Sequence, residues 1–132
     1  LFPYATLFRS NHPEQYAIKP ALEGPQDHLT GVREKLRRRR DITVQACNSN
    51  SRISCVAPRG AFYAFPKINI PESDEVFVKE LCRQKHVLVV HGYGFGQKPG
   101  TQHFRVVFLP EEPQLSQAYA SIIDFMNERY GQ

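Results

Sequence analysis

The chain has 132 residues, a net charge of +4, 41% hydrophobic and 23% charged residues, the size and balance of one soluble globular domain. It contains no apolar run near the roughly 20 residues that cross a bilayer, and its start lacks the order of a secretory signal, so no membrane partner is expected. Three cysteines, Cys47, Cys55 and Cys82, form no CxxC pair, which argues against a metal or redox site and fits a reduced, cytoplasmic setting.

Residues 1–10, LFPYATLFRS, carry no clear period. They resemble the in-frame translation of a sequencing-library adapter, with Ala5 where threonine is expected. They are set apart from the functional reading, as adapter-derived sequence or a disordered terminus. Residues 12–22 suit a short helix that Pro20 should break or kink. After Gly24-Pro25 a long helix is predicted from about Gln26, with Leu29, Val32, Leu36, Ile42 and Val44 as an imperfect apolar stripe. It should fail at residues 48–51, a cluster of Asn and Ser.

Residues 53–57 read as a strand, Pro58-Arg59-Gly60 as a turn, and 61–68 as a second, aromatic-rich strand. Ser73 suits the N-cap of a helix over Asp74–Lys85, with Val76, Phe77, Leu81 and Cys82 inward. Residues 87–90 form a continuous apolar strand of the kind covered on both faces. A glycine-rich loop leads to a strand over 103–109, and a last helix spans about 114–129. The order α-β-β-α-β-β-α predicts an α/β, α+β-like small domain with a mixed sheet and about three helices against it.

Arg105 interrupts the apolar strand HFRVVFL. A guanidinium there needs partners, and its fork matches a carboxylate. The strand pattern alone favours a plainer account, an arginine near a strand end that reaches solvent or pairs with an acid. HGYGFG at 91–96 partly matches a dinucleotide fingerprint, but Gln97-Lys98-Pro99-Gly100 and another strand follow, where a phosphate site needs a helix. Its glycines fit a backbone turning closely past a neighbour or ligand. RGAFYAF at 59–65 and RRRR at 37–40 open an RNA-binding alternative, with rings stacking on bases. The element order is not βαββαβ, and consecutive arginines point all round a helix, so a solvated helix face suits them better. His86, His91 and His103 are too scattered for a metal set, and Cys55 shows no orienting base.

Together, DHLTGVREKLRRRRD, ISCVAPRGAFYAFPKI and VLVVHGYGFGQKPGTQHFRVVFLPEE resemble the C-terminal small domain of class I/II (fold type I) pyridoxal-phosphate-dependent aminotransferases. The likeness spans residues 14–130 in the family's order, and the HGYGFG and HFR wording is similar to alanine and aspartate aminotransferases. It implies that residues 11–132 are that domain. Arg105 then falls on the family's arginine for the substrate α-carboxylate, and Gly60, Gly92 and Gly94 fall near the active site. The implied substrates are an amino acid and a 2-oxo acid, the cofactor is pyridoxal phosphate, and the parent is a homodimer with no nucleic-acid partner. No lysine here matches the Schiff-base motif, so cofactor and catalytic residues belong to a large domain outside this sequence, and the chain alone is expected to be inactive. A non-catalytic sensor descended from the same family is a further alternative. Lys19-Pro20 departs from the family pattern and leaves the first helix in doubt.

Overall fold

A computed structural model of the chain describes residues 12–131, so the expectation for residues 1–10 lies outside the described residues. Two units are distinguished, one ending at Arg33 and one beginning at Glu34. The first holds α1 (His12–Glu23), which runs through Pro20 instead of stopping there. Proline removes one backbone donor, but its carbonyl still accepts from the Gly24 amide at 2.9 Å. The Gln26 side chain then donates to the carbonyls of Ala21 and Gly24 at 2.8 and 2.9 Å, covering acceptors that a helix end leaves bare. Tyr16, Ile18 and Leu22 on α1 are exposed.

The long helix, α2 (Asp27–Asn48), begins and ends close to prediction. Its buried positions are Arg39, Thr43 and Cys47, at helical spacing, with Leu36, Ile42 and Val44 half-buried beside the core. Leu29 and Val32, expected on the stripe, are exposed. Arg39 takes a core position because its charge is met, by Glu111 at 2.6 Å and by the Leu109 carbonyl.

Five short strands follow: β1 (Ile53–Ser54), β2 (Tyr63–Ala64), β3 (Lys67–Ile68), β4 (Val90–His91) and β5 (Gln102–Val107). Along β5 the register is unbroken, with Tyr63 opposite Val107, Ala64 opposite Val106, Lys67 opposite His103 and Ile68 opposite Gln102. β2 and β3 are thus two stretches of the single strand expected over 61–68. Pro66 interrupts it because it has no N–H for the ladder, though its carbonyl still accepts from Phe104 at 3.0 Å. β4 pairs with the other edge of β5, and β1 with β3. All four pairings are antiparallel. The domain is therefore α/β in its α+β form, with antiparallel pairing where a mixed sheet was expected. Neighbouring parallel strands need a crossover between them; α3 joins β3 to β4, which do not pair with each other.

α3 (Asp74–Lys85) matches its predicted bounds, and Ser73 caps it by accepting from the Val76 amide at 3.3 Å. Phe77 and Leu81 are buried as expected, whereas Val76 is exposed and Asp74 is buried in its stead. The apolar run at residues 87–90 predicts cover on both faces. Val89 is buried but Leu88 is 79% exposed, so one face is open. α4 (Glu112–Tyr130) carries Pro113 in its first turn, where a missing donor costs nothing. It buries Leu115, Tyr119, Ile122, Phe125 and Met126. The core gathers where Phe104 meets Phe77, and Phe77 meets Phe125, with ring centroids 5.5 and 5.7 Å apart.

Candidate functional site

Strand alternation divides β5 into two faces. Phe104 and Val106 point into the core, which leaves His103, Arg105 and Val107 on the other face beside Tyr63, Phe65 and Lys67. Arg105 is half-buried there. Its guanidinium lies 3.9 Å from the Phe95 ring centroid and 5.0 Å from that of Tyr63, a cation held by two aromatic faces. Its Nε is buried without a hydrogen-bond partner, and among the described residues Arg105 joins no ion pair. It neither projects into bulk water nor closes an internal salt bridge.

Phe65 extends the aromatic wall. Its ring stacks on His103 at 4.7 Å and 5°, and meets Phe95 edge-on at 6.5 Å. Burial, then the Lys67 ammonium, hold the His103 imidazole below the usual histidine range against the opposing pull of Asp74. Phe95 belongs to a 3₁₀ turn, Tyr93–Phe95, so HGYGFG opens no helix for a phosphate. Gly92 is buried, and a side chain there would meet the His103 carbonyl at 2.7 Å and its Cβ at 2.8 Å, so close approach to β5 demands glycine. Gly60, just before β2, and Gly94 face open space.

Asp74 reaches this loop from the start of α3. Its Oδ2 accepts from the amides of Gly92 and Tyr93, both at 3.0 Å. Nothing in the sequence marked Asp74 as more than a helix-start acid, and nothing marked Phe95 as the ring over Arg105. Buried polar atoms without partners also gather on this stretch: His91 Nδ1, Gln97 Oε1, Gln102 Oε1 and Arg105 Nε. Each such atom needs a further partner, an ordered water included, to meet its hydrogen-bonding capacity. An open apolar groove of about 760 Å³ lies alongside, lined by Leu88, Val90, Arg105, Val107, Leu109 and Ala118 among others.

The other candidates do not assemble into a site. Among the described residues no cluster of His, Cys, Asp or Glu could hold a metal, and no helix is long and apolar enough to cross a membrane. Cys55 is buried, as expected, its backbone clamped by the Asn48 side chain at 2.8 and 3.0 Å. The Cys55 Sγ donates to the Val56 carbonyl at 3.6 Å, and the interaction between the two neighbouring thiols pushes the Cys47 thiol up and holds the Cys55 thiol down. In the RRRR run, Arg38 pairs with Glu112, Arg39 with Glu111 and Arg40 with Asp41. Arg39, being buried, departs from the solvated face expected of the run.

The family model for aminotransferase class I and II matches residues 4–122. The chain belongs to this family. It is 39% identical over 129 residues to the glutamate-pyruvate aminotransferase AlaA of Haemophilus influenzae, covering 90% of this chain and 31% of that protein. The aspartate/prephenate aminotransferase of Cereibacter sphaeroides is 36% identical over 122 residues, covering 84% of this chain and 30% of its own length. The solved alanine aminotransferase from Pyrococcus furiosus superposes with a TM-score of 0.86 at 41% identity, over 95% of this chain and 32% of that one. The chain thus spans about a third of the length of each of these three relatives. Among the described residues the site offers the Arg105 guanidinium among aromatic rings, with Lys67 on the same face beside His103 and the start of α3 tied to the adjoining loop through Asp74. These residues suit a carboxylate; HGYGFG opens no helix for a phosphate, so they do not by themselves make a site for pyridoxal phosphate.

Proposed function

We propose that residues 11–132 form the C-terminal small domain of a pyridoxal-phosphate-dependent aminotransferase, and that Arg105 binds the substrate α-carboxylate. The carrying observation is a half-buried guanidinium held between Phe95 and Tyr63, with an orphaned Nε and no acidic partner among the described residues. A desolvated guanidinium is costly unless an anion meets it, and its fork takes a carboxylate through two parallel hydrogen bonds. The substrates are an amino acid of alanine or aspartate/glutamate type and the matching 2-oxo acid, which share only the α-carboxylate as a fixed anionic handle. Holding it orients Cα within the cleft. Closure of this domain on the large one excludes water from the reacting atoms.

The large domain of the same protein, which carries the cofactor, is the partner that would cover the open face of residues 87–90 and α1. The parent is a cytoplasmic homodimer. This chain alone neither transaminates nor retains the cofactor, and a pyridoxal absorbance band surviving gel filtration of the 132 residues would contradict that.

Arg105→Ala in the full-length protein tests the assignment. Charge-assisted hydrogen bonds contribute about 1.5–3 kcal/mol each, so kcat/KM for the amino acid should fall on the order of a hundredfold or more. Arg105→Lys should not restore it, because an ammonium lacks the planar fork. Unchanged kinetics in Arg105→Ala would refute the role. Amino-acid binding without turnover in the parent would select the sensor alternative.

A further inference from the structure

Among the described residues Arg105 has no acceptor to fix its rotamer, and an arginine side chain carries about 2 kcal/mol of rotamer entropy. Something else must aim its fork. Of the two rings against it, Phe95 is the nearer, its centroid 3.9 Å from the guanidinium carbon against 5.0 Å for Tyr63. Phe95 is half open to solvent and lies on a turn between two glycines, Gly94 and Gly96, so its position depends on what anchors that turn.

The anchor is Asp74. It lies 18 residues before Gly92 in sequence, in the first turn of α3, and is 5% exposed. Its Oδ2 accepts from the Gly92 and Tyr93 amides, the two at which the turn departs from β4; the Gly92 amide is shared with the His103 carbonyl at 2.8 Å, while Tyr93 is held by the carboxylate. The turn closes when the Phe95 amide donates to the Gly92 carbonyl at 2.8 Å. A buried carboxylate is tolerated only when its charge is met, and charge-assisted bonds to two successive amides are strong ones. The carboxylate fixes the turn, and the turn sets the ring.

We propose that Asp74 is a positioning residue for substrate binding: through the Gly92 and Tyr93 amides it seats Phe95 against Arg105 and so aims the guanidinium at the incoming carboxylate. Asp74 touches no substrate itself. The proposal rests on Arg105 being the carboxylate ligand, so its test separates the two.

The test uses the full-length protein with its cofactor, and measures kcat and KM for amino acid and 2-oxo acid in single and double variants. Asp74→Ala should raise both KM values on the order of tenfold, because small misplacements of a binding group are costly, with kcat changing less than KM. Asp74→Asn keeps an oxygen for the same two amides and should recover most of the loss. In an Arg105→Ala background, Asp74→Ala should add nothing to KM, since it acts only through the guanidinium. A full additive loss there would overturn the proposal. Phe95→Leu should reproduce the KM rise without disturbing the buried carboxylate, and decides the matter if Asp74→Ala fails to fold. If Arg105→Ala alone leaves KM unchanged, the carboxylate assignment falls and takes this proposal with it. If Arg105→Ala raises KM while Phe95→Leu and Asp74→Ala do not, only the positioning link is lost.

Discussion

Arg39 and Arg105 have both left bulk water, on α2 and on β5, and each has a buried Nε without a hydrogen bond. There the two regions part. Arg39 reaches the Leu109 carbonyl and the Glu111 carboxylate, tying α2 to the segment that leads into α4. Among the described residues Arg105 reaches only ring faces. An arginine whose acceptors lie within the fold is a clamp on that fold, whereas one walled by aromatics and left without an acceptor is open to an anion. Burial, fuller for Arg39 than for Arg105, does not by itself say which of them has its acceptors.

The comparison can be broken or sharpened by substitution. The largest effect should come from the core side of the same strand. Phe104→Ala empties a fully buried site and should cost about 3–5 kcal/mol in denaturant unfolding of the chain, while Arg105→Ala, one residue on, should change stability by less than about 1 kcal/mol. A large stability loss in Arg105→Ala would make it a second clamp and erase the contrast. Next is Arg39→Ala, expected to lower stability by about 2 kcal/mol through its lost carbonyl bond and packing.

The smallest effect concerns an arginine that has acceptors but lies near solvent. Arg129 pairs with both oxygens of Glu72 at 2.7 and 2.9 Å, and the Tyr130 hydroxyl donates to the same carboxylate. These bonds, Arg129's first, hold the Glu72 carboxyl below its ordinary 4.5. A depressed carboxyl stabilises the fold above its unfolded value and loses that contribution as pH falls through the folded one. Glu72→Gln should therefore cost less than about 1 kcal/mol at neutral pH. The gap between wild type and variant should close on acidification below pH 4.5, as followed by urea unfolding at several pH values. A gap that widened in acid would reverse the assigned sign.

How much could be read beforehand differs by element. The bounds of α3 and the ends of α2 follow from caps and loop formers, and Arg105 stood out because a charge inside HFRVVFL needs a reason. Asp74 and Phe95 were not legible. An acid in a first helical turn serves the helix dipole wherever it points, and only the folded chain brings Gly92 beneath it. Residues 87–90 teach a related lesson: an apolar run records a demand for cover, and only the fold shows whether this chain supplies it. The antiparallel pairing was likewise hidden, since strand direction depends on which distant segment becomes the neighbour.

Local chemistry, then, determined the helices, the turns, the family and the one guanidinium worth testing, because propensity, capping and motif spacing act over a few residues. Tertiary structure alone decided that Arg39 is a clamp, that Arg105 has rings but no acceptor among the described residues, and that Asp74 holds the turn bearing one of those rings. Each of those facts depends on a meeting between residues far apart along the chain, which no local pattern encodes.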